Sequence, residues 1–201
     1  MTQYRSLASL RRDQAHCRAC LEAGYYLGSL PVLAPGGGQR AYMFGQAPGA
    51  VEGEERRPWR GRAGQTLRRW LALDEDEFYA TFYCASVTRC YPGKAGSGRG
   101  DRTPTSEEQQ LCEAWRDHEL RVLRPELIVT VGGLAARRLL GLTSVTACVG
   151  LGYEHDGVPA IPLPHPSGAS GWLNLPENRA RLAKAAALVR AELARLPSTG
   201  A

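Results

Sequence analysis

Four of the six cysteines in this chain have types and spacing suited to metal ligation: Cys17-x-x-Cys20 near the N-terminus, then Cys90 and Cys112 far downstream. Two thiolates in one tight bend hold one side of a metal centre and leave a tetrahedral or cubane site half filled. Cys90 and Cys112 are able to complete it. Spacing alone leaves iron–sulfur and zinc both open. It leans toward iron–sulfur, because zinc ribbons usually join two C-x-x-C pairs and here the second pair is widely split. A disulfide framework is disfavoured, since the opening Met1-Thr2-Gln3-Tyr4-Arg5 carries no secretion signal and the expected compartment is the cytoplasm. Cys84 and Cys148 lie among apolar or small residues and read as buried small hydrophobes.

Two further segments carry chemistry. In Gly45-Gln46-Ala47-Pro48-Gly49 the glycines let backbone amides approach a ligand and the proline stiffens the turn. In Pro164-His165-Pro166-Ser167-Gly168 a histidine is fixed between two prolines. Each alone is equally well a tight turn, but together at one edge of a sheet they favour a pocket.

The elements that must position these segments alternate. Apolar runs at 41–44, 82–88, 127–131 and 158–163 are candidate strands. Helical patterns span 63–71, 106–123 (capped by Thr105 or Ser106) and 134–140. Such alternation predicts a parallel four-stranded sheet covered by helices, whose ligands bind beyond the carboxyl ends of the strands. Amphipathic helices at 7–23 and 176–196 are expected outside it, a flexible Gly-rich insertion at 92–100, one domain over 1–196, and a frayed tail at 197–201. No apolar run approaches the roughly 20 residues of a membrane span. The formal charge of +5 is weak evidence for nucleic acid, because an arginine-rich composition produces the same balance.

At these residues the chain resembles the uracil-DNA glycosylase superfamily, most closely the iron–sulfur family 4 enzymes and their family 5 relatives. The family's G-E-A-P-G, spacer, P-F-V-G-R-A-G is matched by Gly45-Gln46-Ala47-Pro48-Gly49 and Pro58-Trp59-Arg60-Gly61-Arg62-Ala63-Gly64, and its H-P-S by His165-Pro166-Ser167. Its cluster cysteines map to Cys17, Cys20, Cys90 and Cys112, the last two being more widely spaced here because of the Gly-rich insertion. The resemblance implies a three-layer α/β/α fold, a structural [4Fe-4S] cluster, and a DNA glycosylase, acting as a monomer, that flips uracil or a related deaminated base out of the stack and removes it by hydrolysis. It implies a base pocket of Gly45, Gln46, Ala47, Trp59, Ser86 and His165. Trp59 replaces a stacking phenylalanine, and His165 is the donor that stabilises the departing base.

Two departures stand out. Gln46 replaces a glutamate that orients or activates water, and can hold a water but not take its proton. Glu52, Glu54 and Glu55 are able to supply a carboxylate or, as a charged run in a loop, form a solvated surface. Ser86 replaces a base-reading asparagine, and one hydroxyl does not reproduce a bidentate amide. The alternative function is therefore a non-catalytic or altered-specificity DNA-binding member. Expected DNA contacts are Arg60, Arg62 and Ser167, with Lys94, Arg99 and Arg102 as further phosphate contacts. Trp172 or Leu173 is either a wedge in the minor groove or packing under the last helix. Gly132-Gly133 is a phosphate turn or packing.

Overall fold

The computed structural model describes residues 4–98, 100–167 and 171–196. Its sheet consists of β1 (Ala41–Gly45), β2 (Phe82–Ser86), β3 (Leu127–Val131), β4 (Tyr153–His155) and β5 (Val158–Leu163). The four expected strands are parallel and lie in the order β2-β1-β3-β5. β1 and β3 are buried at every position, as continuous apolar runs must be when helices cover both faces. The fifth strand, β4, pairs antiparallel with β5 at the edge and has no counterpart among the expected strands. Three half-exposed residues show no readable period. Its clue is Asp156-Gly157, where φ values of 51° and 79° make the tight turn that reverses the chain.

The helices are α1 (Leu7–Ala15), α2 (Ala19–Glu22), α3 (Ala50–Glu55), α4 (Arg62–Leu71), α5 (Glu75–Thr81), α6 (Ser106–Leu123), α7 (Gly133–Leu140), α8 (Val145–Cys148) and α9 (Pro176–Arg195). The crossover from β1 to β2 runs one way along the sheet, and those to β3 and β5 run the other. Right-handed crossovers therefore place α4 and α5 on one face and α6 and α7 on the opposite face. Arg190 of α9 donates to the Trp70 carbonyl of α4 (3.0 Å), and Arg138 of α7 donates to Gln109 of α6 (2.6 Å), which ties each layer together. Leu182, Ala185, Ala186 and Val189 form the buried stripe of α9. Thr105 caps α6 as expected: its Oγ1 accepts from Glu108 N (3.2 Å), and the Glu108 carboxylate accepts from Thr105 N (2.7 Å).

Two expectations are corrected. The N-terminal helix does not run through 7–23. It ends at Ala15, and a short α2 follows, because the chain must bend to turn Cys17 and Cys20 inward. The run containing Glu52, Glu54 and Glu55 is the helix α3, not a loop. Beside the insertion after Cys90, Lys94 bridges Asp101 and Ala95 N donates to Gly100 O (3.0 Å).

Candidate active site and cysteine cavity

Because β1, β2, β3 and β5 are parallel, the segments after them emerge at one edge. The chain winds from β1 toward β2 on one side and later to β3 on the other, so the carboxyl ends of β1 and β3 flank a topological switch point, the usual crevice for ligands. Gly45 to Gly49, Ser86, Gly132 and His165 all lie at this edge.

Trp59 is the most constrained of them. It adopts φ +59°, a left-handed conformation that is costly for a bulky side chain and persists only where its surroundings impose it. Those surroundings are specific. Tyr79 Oη donates to the Pro58 carbonyl (2.5 Å), Arg68 Nη1 donates to the Trp59 carbonyl (3.0 Å), and Gly61 N donates to Glu52 Oε1 (2.8 Å). A Cβ on Gly64 would stand 1.8 Å from the Trp59 carbonyl oxygen, so only glycine admits this turn. The half-buried indole lies against Gly45, whose absent Cβ would meet it at 2.8 Å.

Glu52 joins the two halves of the first motif. One carboxylate oxygen accepts from Gly61 N and the other from Gly49 N (3.1 Å), so the loop after β1 and the turn bearing Trp59 share one anchor. A Cβ on Gly49 would lie 2.8 Å from Glu52 and 3.0 Å from Asp101 Oδ2. Asp101 directly follows the insertion, bridges to Lys94 and accepts from Tyr91 Oη (2.7 Å). In the sequence Glu52 reads as a spare carboxylate or solvated surface, and Asp101 carries no signal of its own. The spacing Gly49-x-x-Glu52 was the available signal, since it is that of a capping box.

His165 is held by its own turn. Ser167 N donates to Nδ1 (3.2 Å), and the Ser167 hydroxyl lies 2.8 Å from the same nitrogen. With Nδ1 accepting, the neutral ring carries its proton on Nε2, which is the donor. The ring rests on Gly132: a Cβ there would meet His165 Cδ2 at 3.3 Å, and φ is +88°. Gly132 thus serves packing under the histidine. Although His165 is exposed to the crevice, the protein mass around the ring displaces water and lowers its pKa below the ordinary histidine range.

Gln46 is half-buried, accepts from Thr88 N (3.2 Å) through its carbonyl, and has no side-chain partner among the described residues. Ala47 lies beside it, also half-buried. Ser86 Oγ donates to the Thr88 carbonyl (2.8 Å).

The expected DNA contacts fare unevenly. Arg62 and Lys94 are exposed. Arg60 is engaged within the protein by Glu55 (2.6 Å) and Glu75. Arg102 forks onto Glu108 with two bonds of 2.6 Å. Arg99 lies outside the described residues. Ser167 orients His165. Trp172 donates to Thr146 (2.8 Å) and, with Leu173, is partly buried against the core, in a 3-10 turn before α9.

The four cysteines line one cavity together with Gln14 and Arg89. Cys20, Cys90 and Cys112 are buried and Cys17 half-buried, and none forms a disulfide. Burial, and then neighbouring cysteines, push the Cys20 thiol up to about 11 and Cys90 up to about 12. Among the described residues no three His, Cys, Asp or Glu side chains converge as a group able to hold a metal ion; the thiols surround a space. Cys84 and Cys148 are buried in the core.

Comparison with known proteins agrees with this layout. A family model described as the uracil DNA glycosylase superfamily matches residues 35–189. The chain is 25% identical over 178 residues to a type-4 uracil-DNA glycosylase of Sulfurisphaera tokodaii, covering 82% of this chain and 76% of that relative. It is 28% identical over 176 residues to a type-4 uracil-DNA glycosylase of Archaeoglobus fulgidus, covering 81% and 82%. A type-5 uracil-DNA glycosylase of Pyrobaculum aerophilum is 33% identical over 88 residues, covering 42% and 36%.

Proposed function

Because the chain belongs to the uracil DNA glycosylase superfamily, we propose that it is a DNA glycosylase that flips out uracil or a related deaminated base and removes it by hydrolysis. The observation that carries this reading is His165: a neutral imidazole, fixed through Nδ1, whose Nε2–H is free to face a ligand at the switch point. The C1′–N bond breaks with its electron pair leaving on the base, and water adds its oxygen to C1′ and releases a proton. A donor aimed at the base oxygen stabilises the charge that develops there.

The other residues follow from the same chemistry. The indole of Trp59, locked by its turn and by Gly45, is a stacking wall for an extruded base. Gln46 holds the attacking water through its amide without taking its proton, so cleavage rests on positioning and electrostatics. Ser86 faces the base edge. Arg62 and Lys94 are the exposed cations suited to phosphate.

Cys17, Cys20, Cys90 and Cys112 hold a [4Fe-4S] cluster. Four cysteines without a disulfide, lining one cavity, support this reading. When bound, the cluster supplies a structural tie between the N-terminal segment, the chain after β2, and α6. No helix of the described residues is long and apolar enough to cross a membrane.

The test is release of uracil, hypoxanthine or xanthine from labelled single- and double-stranded oligonucleotides. Release by the parent that is lost in His165→Ala supports the proposal. Salt-sensitive DNA binding with no release from any substrate overturns it in favour of a non-catalytic member.

A further inference from the structure

Arg89 precedes a cluster cysteine and is almost completely enclosed, with 2% of its surface exposed. Glu119, 1% exposed, binds its guanidinium through Nε (3.2 Å) and Nη2. Tyr42 Oη (2.6 Å) and Gln14 Nε2 (2.7 Å) donate to the same carboxylate, which is therefore saturated. The remaining nitrogen of the fork, Nη1, is buried without a partner. Arg89 also forms part of the wall of the cysteine cavity, and its backbone N–H donates to Cys112 Sγ (3.3 Å). A buried guanidinium nitrogen left open, on a residue that lines the cavity of the four thiols, is a costly arrangement unless something there accepts from it.

We propose that Arg89 Nη1 donates a hydrogen bond to a sulfur of the [4Fe-4S] cluster, making Arg89 a positioning and potential-setting residue of that centre. The inference rests on the cluster reading above. A hydrogen bond and positive charge at sulfur stabilise the state carrying one more electron, and so raise the reduction potential. Glu119 opposes this by neutralising the guanidinium, and through Tyr42 it links the cysteine cavity to β1 of the catalytic sheet.

The test is protein-film voltammetry of the iron-loaded parent, Arg89→Lys and Glu119→Gln, reading whichever one-electron couple is accessible. Lysine keeps a charge for Glu119 but not the fork, so its potential is expected to fall by at least about 59 mV, a tenfold change in the one-electron equilibrium. Glutamine at 119 still accepts from Tyr42 but leaves the guanidinium charge less compensated, so its potential is expected to rise. A merely structural role moves both variants the same way or neither, and either result overturns the proposal. Should Arg89→Lys fail to load iron, Arg89→Gln takes its place: a lower potential upholds the proposal, and an unchanged or higher one overturns it. A parent without about four irons sinks the cluster reading itself, whereas a loaded parent with unshifted variants sinks only the role of Arg89.

Discussion

Gly45 lies so close beneath the indole of Trp59 that a Cβ added to it would stand 2.8 Å from Cζ2. The last residue of β1 thus sets the height of the aromatic wall above the sheet edge. Gly45→Ala is expected to push the indole aside while leaving the fold intact, because the strand conformation itself tolerates alanine. Displacement of a positioning group by about 1 Å costs up to roughly a hundredfold in rate. Base release should fall about ten- to hundredfold, with tryptophan fluorescence reporting the moved ring. Unchanged release in a variant with shifted fluorescence would remove Trp59 from the base pocket.

Glu52 offers a second test, since its two oxygens accept from Gly49 N and Gly61 N. Glu52→Ala leaves both amides without their charged acceptor and should cost about 1–3 kcal/mol in urea unfolding. Glu52→Gln retains one acceptor and should lose less stability and less activity than alanine. Parent-like stability and release in both variants would show that the clamp is dispensable.

These relationships mark where the sequence was legible. The gathering of the four cysteines, both motif loops and all four parallel strands follow from residue type and period, the strands because apolar runs buried on both faces leave little alternative. The role of Glu52 was obscured because its capping partner is a glycine, which has no side chain to announce the cap, and α3 is a single short helix inside a charged stretch. β4 is too short to show alternation. The break between α1 and α2 is imposed by the inward turn of Cys17 and Cys20, a tertiary demand that helix propensity does not register. The pairing of Arg89 with Glu119 spans 30 residues and leaves no local pattern at all.

His165 gives a prediction in pH. Its folded-state pKa is depressed by loss of water around the ring, so the fold favours the neutral form. The stability this contributes is complete above the unfolded-state pKa and is lost as pH falls through the lower, folded value. Protonation of Nδ1 also breaks the bond from Ser167 N. Base release should therefore hold level through neutral pH and decline only on the acid side of the ordinary histidine range. His165→Ala should lose roughly a hundredfold in rate, the worth of about 3 kcal/mol from one donor, and the histidine-dependent acid limb with it. A pH–rate profile of the same shape in both proteins would exclude the neutral imidazole as the donor.

If the chain acts as proposed, base selectivity is expected to turn on one proton. The hydroxyl of Ser86 donates to the Thr88 carbonyl, so toward the pocket it presents only lone pairs. It can accept from a ring N–H, a group common to uracil, hypoxanthine and xanthine, but it has no second donor for the carbonyl oxygen beside it. An asparagine offers both. Ser86→Asn should therefore raise uracil release relative to cytosine, whose bare ring nitrogen and exocyclic amine reverse this pattern, by about ten- to hundredfold, the worth of one added hydrogen bond of roughly 1–3 kcal/mol. The comparison is made as a ratio on matched single-stranded oligonucleotides, which cancels differences in folding and DNA affinity between the two proteins. Identical ratios would mean that position 86 does not read the base and that selectivity is set by the shape of the Trp59 wall instead.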